Sequence, residues 1–207
     1  MRALACLALA LASAVTPAVA ADVVIQVQTA AGQPVPHAVL TLYPNGRPTP
    51  PARGGSFRVE QRDLQFSPFV LVVPPGSDVS FPNFDNVRHH VYSFSPVRRF
   101  ELQLFAREQT RSVRFDRPGI VPLGCNIHDG MIAYINIVDT GHAVRTDAQG
   151  RATLVGVPVG PAVARLWHPY LRAPNNQVQG NWTIREGRQG QVITVNLRAP
   201  PRPPRTY

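Results

Sequence analysis

The sequence predicts an all-β protein built from β-sandwich layers. Two observations carry this expectation. Twenty-two prolines and fifteen glycines cut the 207 residues into short segments, and the Val-, Ile- and Phe-rich runs between them have strand length. Beyond residue 20, no stretch of useful length repeats its apolar residues at the 3.6-residue helical period.

The elements follow in chain order. Residues 1–20 have the form of a signal peptide, with Arg2 as the basic start, an Ala/Leu run over 4–15, and Ala18, Val19 and Ala20 as an A-x-A cleavage signal. That run is too short and too Ala-rich to span a bilayer, and no later stretch approaches about 18 apolar residues. The expectation is an exported or periplasmic chain with no transmembrane segment, starting near Ala21 once the signal is cleaved. Residues 23–28 (VVIQVQ) and 38–43 (AVLTLY) read as strands around a turn at 30–34, and the Pro/Gly-rich stretch 44–55 reads as a loop. Residues 69–73 (FVLVV) form a continuous apolar run, as in a sandwich-core strand. Further strands are expected at 79–81, 89–94, 100–105, 112–115, 120–123 and 132–138, with 83–88 as a polar connection. After residue 139 come a hairpin turn at 146–150, strands at 151–155, 162–167 and 192–197, and a disordered Pro/Arg tail at 200–207.

The formal charge is +9, and every basic residue is Arg. Such an excess suits an acidic protein partner or an anionic surface. Nucleic acid is excluded for an exported chain without a binding motif. No Ser/His/Asp nucleophile set, phosphate loop or carboxylate pair stands out.

Cysteine and methionine usage singles out one segment. The sequence has two Cys and two Met, and Cys6 and Met1 fall in the signal. The remaining pair, Cys125 and Met131, lies in CNIHDGM, a C-x2-H-x2-M pattern with His128 between them. A thiolate, an imidazole and a weak axial thioether make a trigonal copper site once a second His is supplied. A lone thiol in an oxidising compartment is a liability unless something occupies it, and a metal would. The alternative reading is a structural Cys beside a core Met. Among the six His, His89 and His90 open a strand, where neighbours face opposite sides, so only one of them can point at the metal.

The stretch 83–94 (NFDNVRHHVYSF), taken with 125–131, resembles the cupredoxins, the small blue-copper proteins, and is most similar to bacterial cupredoxin-like proteins of the methylamine utilization type. In that family an Asn stands six residues ahead of the first ligand His. Asn83 and His89 keep that spacing, whereas His90 replaces the Asn that usually follows. The resemblance covers about residues 57–138. It implies a Greek-key β-sandwich with one type 1 copper held by His89, Cys125, His128 and Met131. Strand alternation alone leaves His90 open as the alternate to His89. Leu123, Ile127, Ile132 and Phe84 are then expected to keep water from the sulfur.

Residues 24–43 (VIQVQTAAGQPVPHAVLTLY) and 143–159 (AVRTDAQGRATLVGVPV) resemble a carboxypeptidase regulatory-like, transthyretin-type β-sandwich. This implies a flanking sandwich whose first strands lie in 21–56 and whose remainder lies in 139–199, with the cupredoxin of 57–138 inserted. His37, His142 and His168 are read as packing residues. The expected function is that of a soluble, exported electron carrier without enzymatic activity. Its redox partner is acidic if Arg98, Arg99, Arg107, Arg111, Arg114 and Arg117 share a surface near the copper. The alternatives are a copper storage or delivery protein, an interaction module with a vestigial copper site, and a copper enzyme with an open coordination position.

Overall fold

The computed structural model describes residues 20–200. Residues 1–19 and 201–207, on which the signal-peptide and tail expectations fall, lie outside the described residues. Among the described residues the protein is all-β, with seventeen strands and one 3-10 turn, Pro174–Asn176. No helix there is long and apolar enough to cross a membrane.

The chain opens with β1 (Ala20–Thr29) and β2 (Val39–Pro44). Ala21, Val23, Ile25 and Val27 are buried on one face of β1 while the residues between them are partly open. This is the period-two pattern of a strand with one covered face. Ten strands follow: β3 (Ser56–Arg58), β4 (Glu60–Arg62), β5 (Gln65–Ser67), β6 (Val70–Val73), β7 (Ser77–Pro82), β8 (His89–Ser93), β9 (Phe100–Phe105), β10 (Thr110–Phe115), β11 (Gly119–Gly124) and β12 (Ile132–Ile137). The last five are β13 (Ala143–Arg145), β14 (Arg151–Pro158), β15 (Gly160–Trp167), β16 (Gln177–Ile184) and β17 (Gly187–Val195).

Strands β6-β12-β11-β8-β9 form one sheet, β10-β7-β3 a second, and β4-β5 a hairpin. The two sheets close on one core, with Val79, Phe81 and Phe115 on one side and Val91, Phe105, Val121 and Ile135 on the other. Phe81, Phe105 and Phe115 are fully buried, each worth about 1.5–3 kcal/mol relative to exposure. Close approach to β7 requires glycine at Gly54, where a Cβ would sit 2.2 Å from the Gly76 carbonyl oxygen.

Strands β1 and β2 pair with strands that come much later in the chain. β1 lies between β14 and β17, and β2 lies between β13 and β15, which carries β16 on its other edge. Val23, Ile25, Leu40, Leu42, Leu154 and Leu166 share a second core. The TDAQGR motif closes this unit. The Thr146 hydroxyl donates to Val35 O (2.8 Å) and accepts from Ala38 N–H (2.9 Å), and Asp147 Oδ1 accepts the N–H groups of Gln149 and Arg151. A smaller apolar contact of Val39, Val70, Val138 and Trp167 joins the outer faces of the two cores, with Tyr134 edge-on to Trp167 at 5.7 Å.

β16 and the short β3–β5 strands were not expected, and β17 begins five residues earlier than the predicted 192. β16 is largely exposed and carries Gly180, and the first residues of β17 (GRQGQ) are polar, so neither presents a buried-face signal. Ladder pairing with β15 and β1 makes them strands.

Strand direction puts one end of the first sandwich to use. His89 opens β8 opposite Phe105, which closes β9, while Gly124 closes β11 opposite Ile132, which opens β12. These termini meet, together with the Pro82 end of β7.

Candidate metal centre

Cys125 leaves β11 into two consecutive turns, at 126–127 and 129–130. Each turn reverses the chain, so Cys125, His128 and Met131 fall on one side. The Met131 N–H donates to His128 O at 2.9 Å and closes the second turn. Asn126 and Ile127 are thereby turned outward.

The structure brings three donor atoms together. His89 Nδ1 and His128 Nδ1 are 3.2 Å apart, and Cys125 Sγ lies 3.9 Å from the first and 3.5 Å from the second. The point equidistant from the three lies ~2.1 Å from each, within the range of metal–imidazole and metal–thiolate bonds. The donor set therefore fits a mononuclear metal ion. His89 is fully buried, Cys125 is 4% exposed and His128 is partly open.

The proton on His89 is placed by its far side. Its Nε2 lies 2.7 Å from Asp85 Oδ2. Burial alone would raise the Asp85 pKa, but the hydrogen bonds from His89 and from the Leu64 and Asp63 N–H groups outweigh it and hold the carboxyl below its usual range. An ionised Asp85 can only accept, so Nε2 carries a hydrogen, and in the neutral imidazole Nδ1 then offers its lone pair to the cluster. Burial, and then the charge of a protonated His89, lower the His128 pKa against the opposing pull of Asp85. His128 is thus neutral and free to ligate at pH 7.

Met131 is 1% exposed and belongs to the same core cluster as Cys125. His90 faces away: its Nε2 reaches Glu101 Oε1 at 2.9 Å and its ring packs against Tyr92. His168 accepts the Tyr170 N–H, and His37 packs edge-on to Phe69.

Of the apolar neighbours expected around the sulfur, Leu123 is buried and Ile132 partly so. Ile127 is 50% exposed because it crowns the first turn, and Phe84 is 37% exposed with the Arg62 guanidinium 4.6 Å above its ring. The six arginines do not share one surface. Arg98, Arg99, Arg114 and Arg117 line a cleft at the Phe100 end of β9, which lies about 17 Å of strand from the Phe105 end beside His89. Only Arg107, bonded to Asn86, and Arg111, stacked on Phe105, lie at the end that carries the donors.

Sequence reasoning missed two residues here. Asp85 sat in a connection read only as polar, and its spacing of four from His89 is not distinctive by itself. Tyr92 lies against Gly124, where a Cβ would meet the ring at 2.8 Å, a contact between strands that no local pattern encodes.

Fold and donors together define an all-β protein with a cluster of two imidazole nitrogens and one cysteine sulfur that could hold a metal ion. No protein-family model and no curated protein matches the chain. Its neighbours among solved structures are cupredoxins and cover less than half of it. One is a purple cupredoxin from Nitrosopumilus maritimus, at 17% identity over 39% of this chain and 98% of that one, TM-score 0.37. Another is the Cu(I) form of an amicyanin mutant, at 20% identity over 48% of this chain and 98% of that one, TM-score 0.38. A third is a Cu-containing nitrite reductase from Thermus scotoductus SA-01, at 23% identity over 44% of this chain and 23% of that one, TM-score 0.38.

Proposed function

We propose that this protein is an exported type 1 copper protein that carries single electrons, with His89, Cys125 and His128 as the strong ligands and Met131 as the axial one. The triangle of two Nδ1 atoms and one Sγ, 3.2–3.9 Å on a side, carries the reading. Copper bound there supplies a one-electron Cu(II)/Cu(I) couple.

The chain's own residues supply the rest. Cys125 offers a soft, anionic donor. His89, locked by Asp85 and fully buried, offers a fixed one. The strand ends and the two turns between β11 and β12 hold all three donors in one arrangement, so little has to move when the charge at the centre changes. Leu123 and the buried Met131 keep water from the sulfur side. The partly open ring of His128 is the route to the surface. Exposed Ile127, with Phe84 and Val87 in the connection before His89, offers an apolar docking patch for a redox protein. The signal-like residues 1–20 support export.

The test is a visible and EPR spectrum of the copper-loaded protein. An intense thiolate–Cu(II) band that disappears in Cys125→Ser is expected. Loaded protein without that band, or Cys125→Ser protein that keeps it, would refute the proposal.

A further inference from the structure

One side chain at the metal end has partners that packing alone does not require. The Asp85 side chain is 12% exposed, and its Oδ2 meets the fully buried His89 Nε2 at 2.7 Å. Oδ1 accepts the Asp63 N–H at 2.6 Å, and Oδ2 also accepts the Leu64 N–H at 3.1 Å. The Asp85 N–H donates to Asn83 Oδ1 at 2.9 Å. Asn83 is fully buried and donates its own amide to Val87 O and Phe105 O. The carboxylate is therefore held from three directions and cannot swing away from His89.

Asp63 and Leu64 form the two-residue turn between β4 and β5, with Arg62 paired to Gln65. Their φ values are 54° and 55°. A turn with positive φ at both positions is normally made with Asn or Gly, and a leucine there is strained. The strained turn aims both of its N–H groups at the carboxylate that grips the metal-facing histidine. A backbone carbonyl in place of Asp85 would orient the imidazole equally well. A carboxylate adds a formal negative charge and a stronger, charge-assisted hydrogen bond.

We propose that Asp85, clamped by the Asp63 and Leu64 turn, is a positioning residue that sets the donor strength of His89 and so lowers the reduction potential of the centre. The inference rests on the copper reading above. Its physical basis is that a hydrogen-bonded carboxylate fixes the tautomer and raises the basicity of the ligating nitrogen. The more highly charged Cu(II) form gains more from that than Cu(I) does.

Two measurements test it. In the metal-free protein, nitrogen-15 NMR of the His89 imidazole should show Nε2–H and an unprotonated Nδ1. In the copper-loaded protein, Asp85→Asn keeps the shape and removes the charge. Outer-partner changes of this kind alter metal affinity by about 10- to 100-fold. A tenfold loss borne by Cu(II) alone raises the potential by ~59 mV. An Nδ1–H tautomer in the metal-free wild type overturns the proposal even if Asp85→Asn does not fold. So does an Asp85→Asn potential equal to or below that of the wild type. Wild-type protein lacking the thiolate–Cu(II) band defeats the copper reading instead, and the tautomer measurement then decides the Asp85–His89 link by itself.

Discussion

Gly124→Ala probes how tightly the residue ahead of Cys125 is packed. A Cβ at this position would lie 2.8 Å from Tyr92 Cζ, 2.9 Å from its Oη and 3.0 Å from Cε1. The ring is partly exposed and can yield outward, but Phe94, with its centroid 5.0 Å away, and His90, at 5.7 Å, restrict that movement. Overpacking of this kind costs about 1–3 kcal/mol. Replacing glycine within a strand returns about 0.5–1 kcal/mol of backbone entropy. The net loss is about 1 kcal/mol, or roughly 2–4 °C in Tm for a chain of this size. In a Tyr92→Ala background the three closest atoms to the added methyl are gone, so the same substitution should stabilise by about 0.5–1 kcal/mol. The coupling between the two sites is then about 2 kcal/mol, readily resolved by a double-mutant cycle on thermal unfolding of the metal-free protein. If Gly124→Ala is neutral or stabilising while Tyr92 is present, the ring does not press on this strand and the packing argument fails.

Three further outcomes are expected. His89→Ala should abolish the copper band, whereas His90→Ala, which loses only the Glu101 contact, should retain it; the reverse result in a copper titration would reassign the ligand. A fragment of residues 57–138 should fold and bind copper alone, whereas residues 139–199 should show no cooperative unfolding transition by circular dichroism, because β1 fills the place between β14 and β17, and β2 that between β13 and β15. The His168 pKa is lowered to about 4, first by burial and then by the charge on His37, against a hydrogen bond to the Pro36 carbonyl. Its unfolded form takes up a proton near 6.5 while the folded form does not, so the stability it contributes is present above pH 6.5 and is lost as pH falls toward 4. At ~1.4 kcal/mol per pH unit the ceiling is about 3 kcal/mol. Denaturant midpoints at pH 7 and pH 4.5 should differ by much less in His168→Gln.

Local chemistry made part of this protein legible from its residues. Alternation in VVIQVQ and FELQLF, and the unbroken FVLVV, mark strands because side-chain period and burial are written into neighbouring residues. C-x2-H-x2-M marks Cys125 and His128 because both donors sit in one short loop, where two turns bring them to the same side. The TDAQGR turn is legible for the same reason, since Thr146 and Asp147 bond to backbone within or beside it.

Other features exist only once distant segments meet. His89 and His90 are equivalent in a strand pattern. Which of them faces the thiolate is decided by β8 lying between β11 and β9, which turns His89 toward Cys125 and His90 toward Glu101. Asp85 acquires its role from the β4–β5 turn some twenty residues earlier. The arginines between 98 and 117 look like one patch along the chain, yet two antiparallel strands carry them to opposite ends of the sandwich. Sequence determined which residues could form strands and which could bind a metal, because those properties belong to a side chain and its nearest neighbours. Tertiary structure decided which of them face one another, because strand pairing fixes direction and register between residues far apart in the chain.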